Sequence, residues 1–262
     1  MPREISLRRE ISGRRVIGVP RGVSAVRLRA FIPSLIGALG LVAGPVDAQS
    51  PTFRITPQRP IDALRREALA ATPPVETGRR APDLIDVSSV DPRIRLDIRY
   101  ATADNFMGVA MYDRATARLQ RPVAEALGRV QRTLAAEGLG LLVFDAYRPW
   151  YVTKMFWEAT PDSQRVFVAD PSRGSRHNRG AAVDLTLYDL RTGVPLPMPS
   201  GYDEFTERAF PDYAGGTAAE QANRARLRRA MEAEGFTVYE AEWWHFDFAG
   251  WAEWALGNVP GV

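Results

Sequence analysis

The chain contains no cysteine, which sets the terms on which it can fold. Disulfides, iron–sulfur clusters and thiolate-held zinc are closed to it, so its 262 residues must be held by burial, and any metal must sit on nitrogen and oxygen. At 45% hydrophobic and 25% charged residues the chain can build a sizeable core, and it is neither disordered nor collagen-like. The net charge of +3 belongs to one end. Eight of the 34 basic residues, but only Glu4, Glu10 and Asp47 of the 31 acidic ones, lie in the first 48 positions. The rest carries 26 basic against 28 acidic groups and lacks the basic surplus a nucleic-acid partner requires. Arg224, Arg226, Arg228 and Arg229 form a local cluster, but Glu220, Glu232 and Glu234 stand nearby, as on a solvated helix face.

The arginine-rich head runs into AFIPSLIGALGLVAGPV at positions 30–46, which is uncharged but broken by Pro33, Gly37, Gly40 and Gly44. That run is too short and interrupted for a secure membrane span. It ends in Val46-Asp47-Ala48, with small residues at the two positions a signal peptidase reads. Residues 1–48 are therefore expected to be a secretory signal cleaved after Ala48, delivering the protein to the bacterial periplasm or cell envelope. Stable membrane insertion is expected only if the signal stays uncleaved.

Residues 49–83 read as a polar N-terminal arm carrying a short helix from Pro60 to Ala70, stopped by Thr72-Pro73-Pro74. Residues 84–262 read as one catalytic domain. Ile94, Leu96, Ile98 and Tyr100 alternate with charged residues, the period of a half-buried strand. Pro122 opens a helix whose Val123, Leu127, Val130 and Leu134 form one stripe, with Gly138 as its C-terminal cap. Gly140 to Phe144 is a central strand delivering Asp145 and Arg148, and a helix follows from Trp150 to Ala159. Ala182–Leu187, Phe236–Tyr239 and His245–Phe248 are further strands, and Ala218–Glu234 is a helix closed by Gly235. Helices and strands alternate irregularly, with no glycine-rich turn after the first strand, a pattern that favours an α+β fold over a doubly wound sheet.

The chemistry concentrates around the two histidines. His177 lies in SRHNRGAAVD and His245 in EWWHFDF. Two imidazoles and a carboxylate are donors that zinc accepts while keeping a position open, and His177, Asp184 and His245 supply such a trio. Asp184 sits in an apolar strand where an unpaired carboxylate is costly, a cost that a metal offsets. The spacing alone also suits satisfied structural histidines. Glu242, three residues before His245, can reach the open side of a metal as a proton acceptor, or pair with an arginine. Arg148 can meet the oxyanion formed when water attacks a carbonyl, or pair with Asp145; the two roles are compatible. Trp243 and Trp244 read as walls of the pocket and core.

At these residues the chain resembles the D-alanyl-D-alanine dipeptidases of the vancomycin-resistance type, zinc D,D-peptidases related in fold to zinc D,D-carboxypeptidases and the Hedgehog signalling domain. The resemblance runs from about Asp83 to Phe248. It rests on YATADNF at 100–106, FDAYRP at 144–149, Ser175-x-His177-x-x-Gly180-x-Ala182-x-Asp184 and Glu242-Trp243-Trp244-His245. It implies a small Hedgehog-like α+β domain with a central antiparallel sheet flanked by helices. It further implies one zinc ion per chain on His177, Asp184 and His245, Glu242 as general base and acid, Arg148 as stabiliser of the tetrahedral intermediate, and a small D,D-dipeptide as substrate. Ala146 stands where a glycine is familiar, and Phe210 where related sequences often carry a histidine. An exported enzyme of this kind would scavenge D-alanine from wall turnover. The neighbouring readings are a D,D-carboxypeptidase acting on longer stem peptides and an inactive wall-binding module. In the dipeptidase reading, the proline-rich stretch from Asp189 to Tyr213 and the two tryptophans would close the pocket beyond two residues.

Overall fold

The computed structural model describes residues 53–260, so the expected signal at 1–48 lies outside the described residues. The first helix, α1 (Ile61–Ala70), starts one residue after Pro60 and ends before Thr72-Pro73-Pro74, as the prolines dictate. Its buried Leu64 and Ala68 pack with α3 (Trp150–Ala159), so residues of the arm belong to an aromatic core that includes Tyr100, Phe106, Phe156 and Phe205.

A five-stranded sheet carries the fold, in the order β2 (Arg95–Leu96), β4 (Leu139–Asp145), β5 (Ala182–Asp189), β7 (Glu242–Phe248), β6 (Phe236–Tyr239). The β4–β5, β5–β7 and β7–β6 pairs are antiparallel. The β2–β4 pair is parallel, so the sheet is mixed rather than purely antiparallel. A separate antiparallel pair, β1 (Leu84–Asp86) and β3 (Arg118–Gln120), lies outside it. The expected strand over 93–100 shrinks to Arg95–Leu96, because the backbone turns into a short 3-10 helix at Arg99–Ala101 that carries Tyr100 into the aromatic core. Ile94 and Ile98 are buried as the alternation predicts, whereas Leu96 stays exposed on the edge strand.

Helix α2 (Arg121–Ala135) buries Val123, Leu127, Val130 and Leu134, the predicted stripe, and Gly138 adopts the left-handed φ of 76° just beyond its end. Helix α4 (Ala218–Glu232) opens on a capping box of Thr217 and Glu220. Side chains of Leu141, Val143, Val183, Leu185 and Leu187 join those of α2 and α4 in the main core. Strand residues alternate between faces, so Asp184 projects away from α2 and α4. That opposite face is where the polar chemistry collects.

Candidate functional site

Asp184 on β5 and His245 on β7 are direct cross-strand partners, and partners across a ladder point to the same face. His177 comes from the 3-10 turn His177–Arg179, closed by Gly180 at φ 63°. The left-handed backbone favours glycine there, and a β-carbon would stand 2.4 Å from Leu84 Cδ2 and displace that side chain. Hydrogen bonds lace this turn to the end of β4: Arg148 N–H donates to His177 O at 3.1 Å. Asn178 Nδ2 donates to Arg148 O and to Thr153 Oγ1, each at 2.8 Å.

Three donor atoms converge. His177 Nε2 and His245 Nδ1 are 3.0 Å apart, and Asp184 Oδ1 lies 3.3 Å from the first and 3.0 Å from the second. Ligands around a tetrahedral zinc at ordinary bond lengths stand about 3.3 Å apart. The outer nitrogens fix the tautomers that binding requires. His177 Nδ1 lies 2.6 Å from Ala146 O, which can only accept, so Nδ1 carries the proton and Nε2 the lone pair. His245 Nε2 donates to Asp247 Oδ1 at 2.9 Å, which leaves Nδ1 as the nitrogen that faces the other two donors. Asp184 Oδ2 accepts from Tyr202 OH at 3.0 Å, whereas the buried Oδ1 closes no hydrogen bond. Ring nitrogens converging on a buried carboxylate oxygen are unfavourable unless a cation, either a proton or a metal ion, lies among them. The donor set therefore fits one zinc ion per chain, and His177, Asp184 and His245 form the single such group found among the described residues.

Two register shifts bring further charges to this face. Regular alternation would send Asp145 to the side of Leu141 and Val143, but a shift between Val143 and Asp145 sets it opposite Asp184. Another shift, between Val238 and Tyr239, places Glu242 rather than His245 opposite Tyr239. Residues three apart on a regular strand face opposite ways, yet Glu242 Oε2 here comes within 3.8 Å of His245 Nδ1. Burial pushes the Glu242 carboxyl up to about 8, with His245 opposing and Asp184 reinforcing the rise. A dication among the three donors would favour its ionised form. Although burial works against it, His177 and His245 hold Asp184 well below the usual carboxylate range.

Arg148 is buried and pairs with Asp145, Nε and Nη2 donating to Oδ2 at 2.9 and 2.8 Å. Its Nη2 also lies 3.6 Å from Asp184 Oδ2, and its guanidinium sits over the rings of Tyr100 and Phe156 at 5.3 and 5.0 Å. Tyr112 OH and Ala146 N–H occupy the other oxygen of Asp145 at 2.8 and 2.9 Å. The pairing with Asp145 thus holds Arg148 at the pocket, which it lines together with His177, Asp184, Glu242 and His245.

Much of the rest of the lining is aromatic, including Phe106, Phe156 and Phe205, and the buried Asp203 and the partly exposed Arg176 also line it. Of the proline-rich stretch, Asp203 and Phe205 reach the pocket. Trp243 and Trp244 do not line it; both are buried in the main core. Phe210 is exposed and meets the lining only indirectly, its ring 6.0 Å from that of Phe167. Asp247 and Asn178 were given no role from sequence. For Asp247 a signal existed, since i and i+2 on a strand share a face and a carboxylate two places from a histidine can orient it.

A family model described as D-ala-D-ala dipeptidase matches residues 80–255. The chain is 37% identical over 174 residues to the D-alanyl-D-alanine dipeptidase of Escherichia coli (strain K12), covering 66% of this chain and 89% of that one. The enzyme of the same name from Enterococcus faecium is 36% identical over 171 residues, covering 58% of this chain and 85% of its own. That of Streptomyces coelicolor is 36% identical over 182 residues, covering 63% and 90%.

Proposed function

The chain belongs to the D-alanyl-D-alanine dipeptidase family, and from that membership and the geometry of the pocket we propose how it cleaves D-alanyl-D-alanine and where it works. The observation that carries the reading is the convergence of two imidazole nitrogens and a carboxylate oxygen within 3.3 Å of one another, with Glu242 and Arg148 lining the same pocket. When bound, zinc supplies Lewis acidity, which lowers the pKa of water and polarises a carbonyl.

Glu242 is the general base: it takes a proton from the attacking water as the new C–O bond forms at the amide carbon. It then returns that proton to the amide nitrogen as the C–N bond breaks, so one water is consumed and two amino acids leave. Arg148, oriented by Asp145, donates to the carbonyl oxygen as negative charge gathers there. Asp203 accepts from Tyr100 OH at 2.7 Å; burial raises its carboxyl well above the usual range, and an arriving substrate ammonium would favour its ionised form and pair with it. An N-acylated or longer peptide would bury an amide in place of that charge and add volume between the aromatic walls, which favours the free dipeptide over stem peptides.

The basic head and Val46-Asp47-Ala48 support export, with Gln49 as the mature N-terminus. D-alanine recovered from wall turnover is then the physiological product. N-terminal sequencing of protein from the envelope fraction tests export, and an intact cytoplasmic chain would overturn it.

The chemistry is tested with Glu242→Gln. It should keep one zinc per chain and lose about 10²–10⁴-fold in kcat on D-alanyl-D-alanine. Loss of metal in this variant, or a stem pentapeptide cleaved by the native enzyme as fast as the dipeptide, would overturn the assignment of roles or of substrate respectively.

A further inference from the structure

A free dipeptide has a carboxylate on the residue that leaves, and an enzyme that prefers it must place a cation there. Among the described lining residues the permanent cations are Arg148 and Arg176. Arg148 is engaged by Asp145 and faces Asp184. Arg176, immediately before the ligand His177, is differently placed. Its side chain is 39% exposed at the pocket lip, and its guanidinium lies 4.8 Å over the ring of Trp251. Nε stands 3.5 Å from Asp247 Oδ2 but closes no hydrogen bond. The indole thus supports one face of the guanidinium and Asp247 attracts its inner edge, while its terminal N–H groups close no hydrogen bond among the described residues. A planar fork held in this way is suited to a carboxylate.

Contacts within the site run as a chain. Asp203 touches Tyr100, Tyr100 lies under Arg148, Arg148 faces Asp184, Asp184 meets His245, and His245 bonds Asp247, which attracts Arg176. Two of the three metal donors, Asp184 and His245, lie in the middle, with an acid at one end and the Arg176 guanidinium at the other. A zwitterionic dipeptide laid across the donors finds a buried carboxyl group at its ammonium end and a guanidinium at its carboxylate end.

We propose that Arg176 is the residue that determines carboxylate specificity, receiving the C-terminal carboxylate of the leaving residue. The proposal rests on the dipeptidase reading above. The alternative is that Arg176 acts only through Asp247 on the orientation of His245.

The test compares kcat/KM on D-alanyl-D-alanine and on D-alanyl-D-alaninamide, which lacks only the terminal charge, for the native enzyme, Arg176→Gln and Arg176→Lys, with zinc content measured in each. The native enzyme should prefer the acid. Arg176→Gln should lose about 30–100-fold on the acid, mainly through KM, the scale of one lost charged hydrogen bond. On the amide it should change by less than about threefold, with zinc content unchanged, and Arg176→Lys should recover part of the loss on the acid. Equal losses on both substrates, or loss of zinc, would overturn the proposal in favour of the role through Asp247. An undiminished rate on the acid would overturn it outright. A native zinc-loaded enzyme that cleaves neither substrate would instead bring down the dipeptidase reading on which it rests.

Discussion

Zinc uptake by this protein should expel protons, and the site shows how many. In the metal-free chain burial favours a neutral His245, but Asp247 and Asp184 outweigh it and push the imidazole up to about 10. At pH 7 a proton then sits on Nδ1, 3.0 Å from Asp184 Oδ1, where the lone pair must face the metal. Displacing a proton from a group titrating near 10 costs about 4 kcal/mol at pH 7. His245 alone should therefore hold apparent zinc affinity at pH 7 about a thousandfold below its high-pH limit and make it rise about tenfold per pH unit. Glu242, pushed up to about 8, is also largely protonated at pH 7 and should ionise once a dication is near. The slope of log affinity against pH should thus lie between about one and two below pH 8, and near one from there toward 10. Chelator competition between pH 6.5 and 9 measures the slope. Calorimetry in buffers of different ionisation enthalpy counts the protons directly. Asp247→Asn removes the strongest upward push on His245 and should flatten the dependence. Affinity independent of pH over this range, with no proton released, would refute the reasoning by showing that His245 is already neutral in the empty site.

Arg148→Lys keeps the charge but loses the planar fork that engages Asp145, so kcat should fall about a hundredfold with little change in KM; a variant impaired only in KM would place Arg148 on a ground-state group. Glu76 accepts from both terminal nitrogens of the buried Arg179 at 2.9 Å, so Glu76→Gln should cost about 3 kcal/mol and lower Tm by about 6–12 °C at pH 7. Although burial opposes it, the pairing with Arg179 lowers the folded-state pKa of Glu76. Its contribution is therefore complete above the ordinary carboxylate value and is lost as pH falls through the lowered one. Melting curves of the two proteins should converge on acidification, and a gap that stays constant down to pH 3 would contradict this account.

Much of the scaffold is legible in the sequence because its causes are local. The stripe Val123, Leu127, Val130 and Leu134 is buried to the last residue, and all seven residues of β4 are buried as a central strand requires. The donor trio is legible for a similar reason: with two histidines and no cysteine, the choice of nitrogen and oxygen ligands is narrow. What escapes local pattern is register. The shifts that swing Asp145 and Glu242 onto the face of Asp184 arise only when β4 meets β5 and β6 meets β7, and no spacing within one strand encodes them. The parallel pairing of β2, only two residues long, has the same origin. Trp243 and Trp244 lie in the core, one of the two places their bulk suggests, but not at the pocket wall, because aromatic bulk beside a ligand does not itself say which way a ring points.

The placement of the ligands also orders events in time. His177 and Asp184 lie seven residues apart, but sixty-one residues separate Asp184 from His245, and α4 and β6 fall between them. A chain emerging N-terminus first presents two donors long before the third exists, and the trio closes only when β7 docks beside β5. An ion held by all three donors can therefore be bound only after β7 has docked, so the site selects its metal from the pool that surrounds the folded sheet rather than the growing chain.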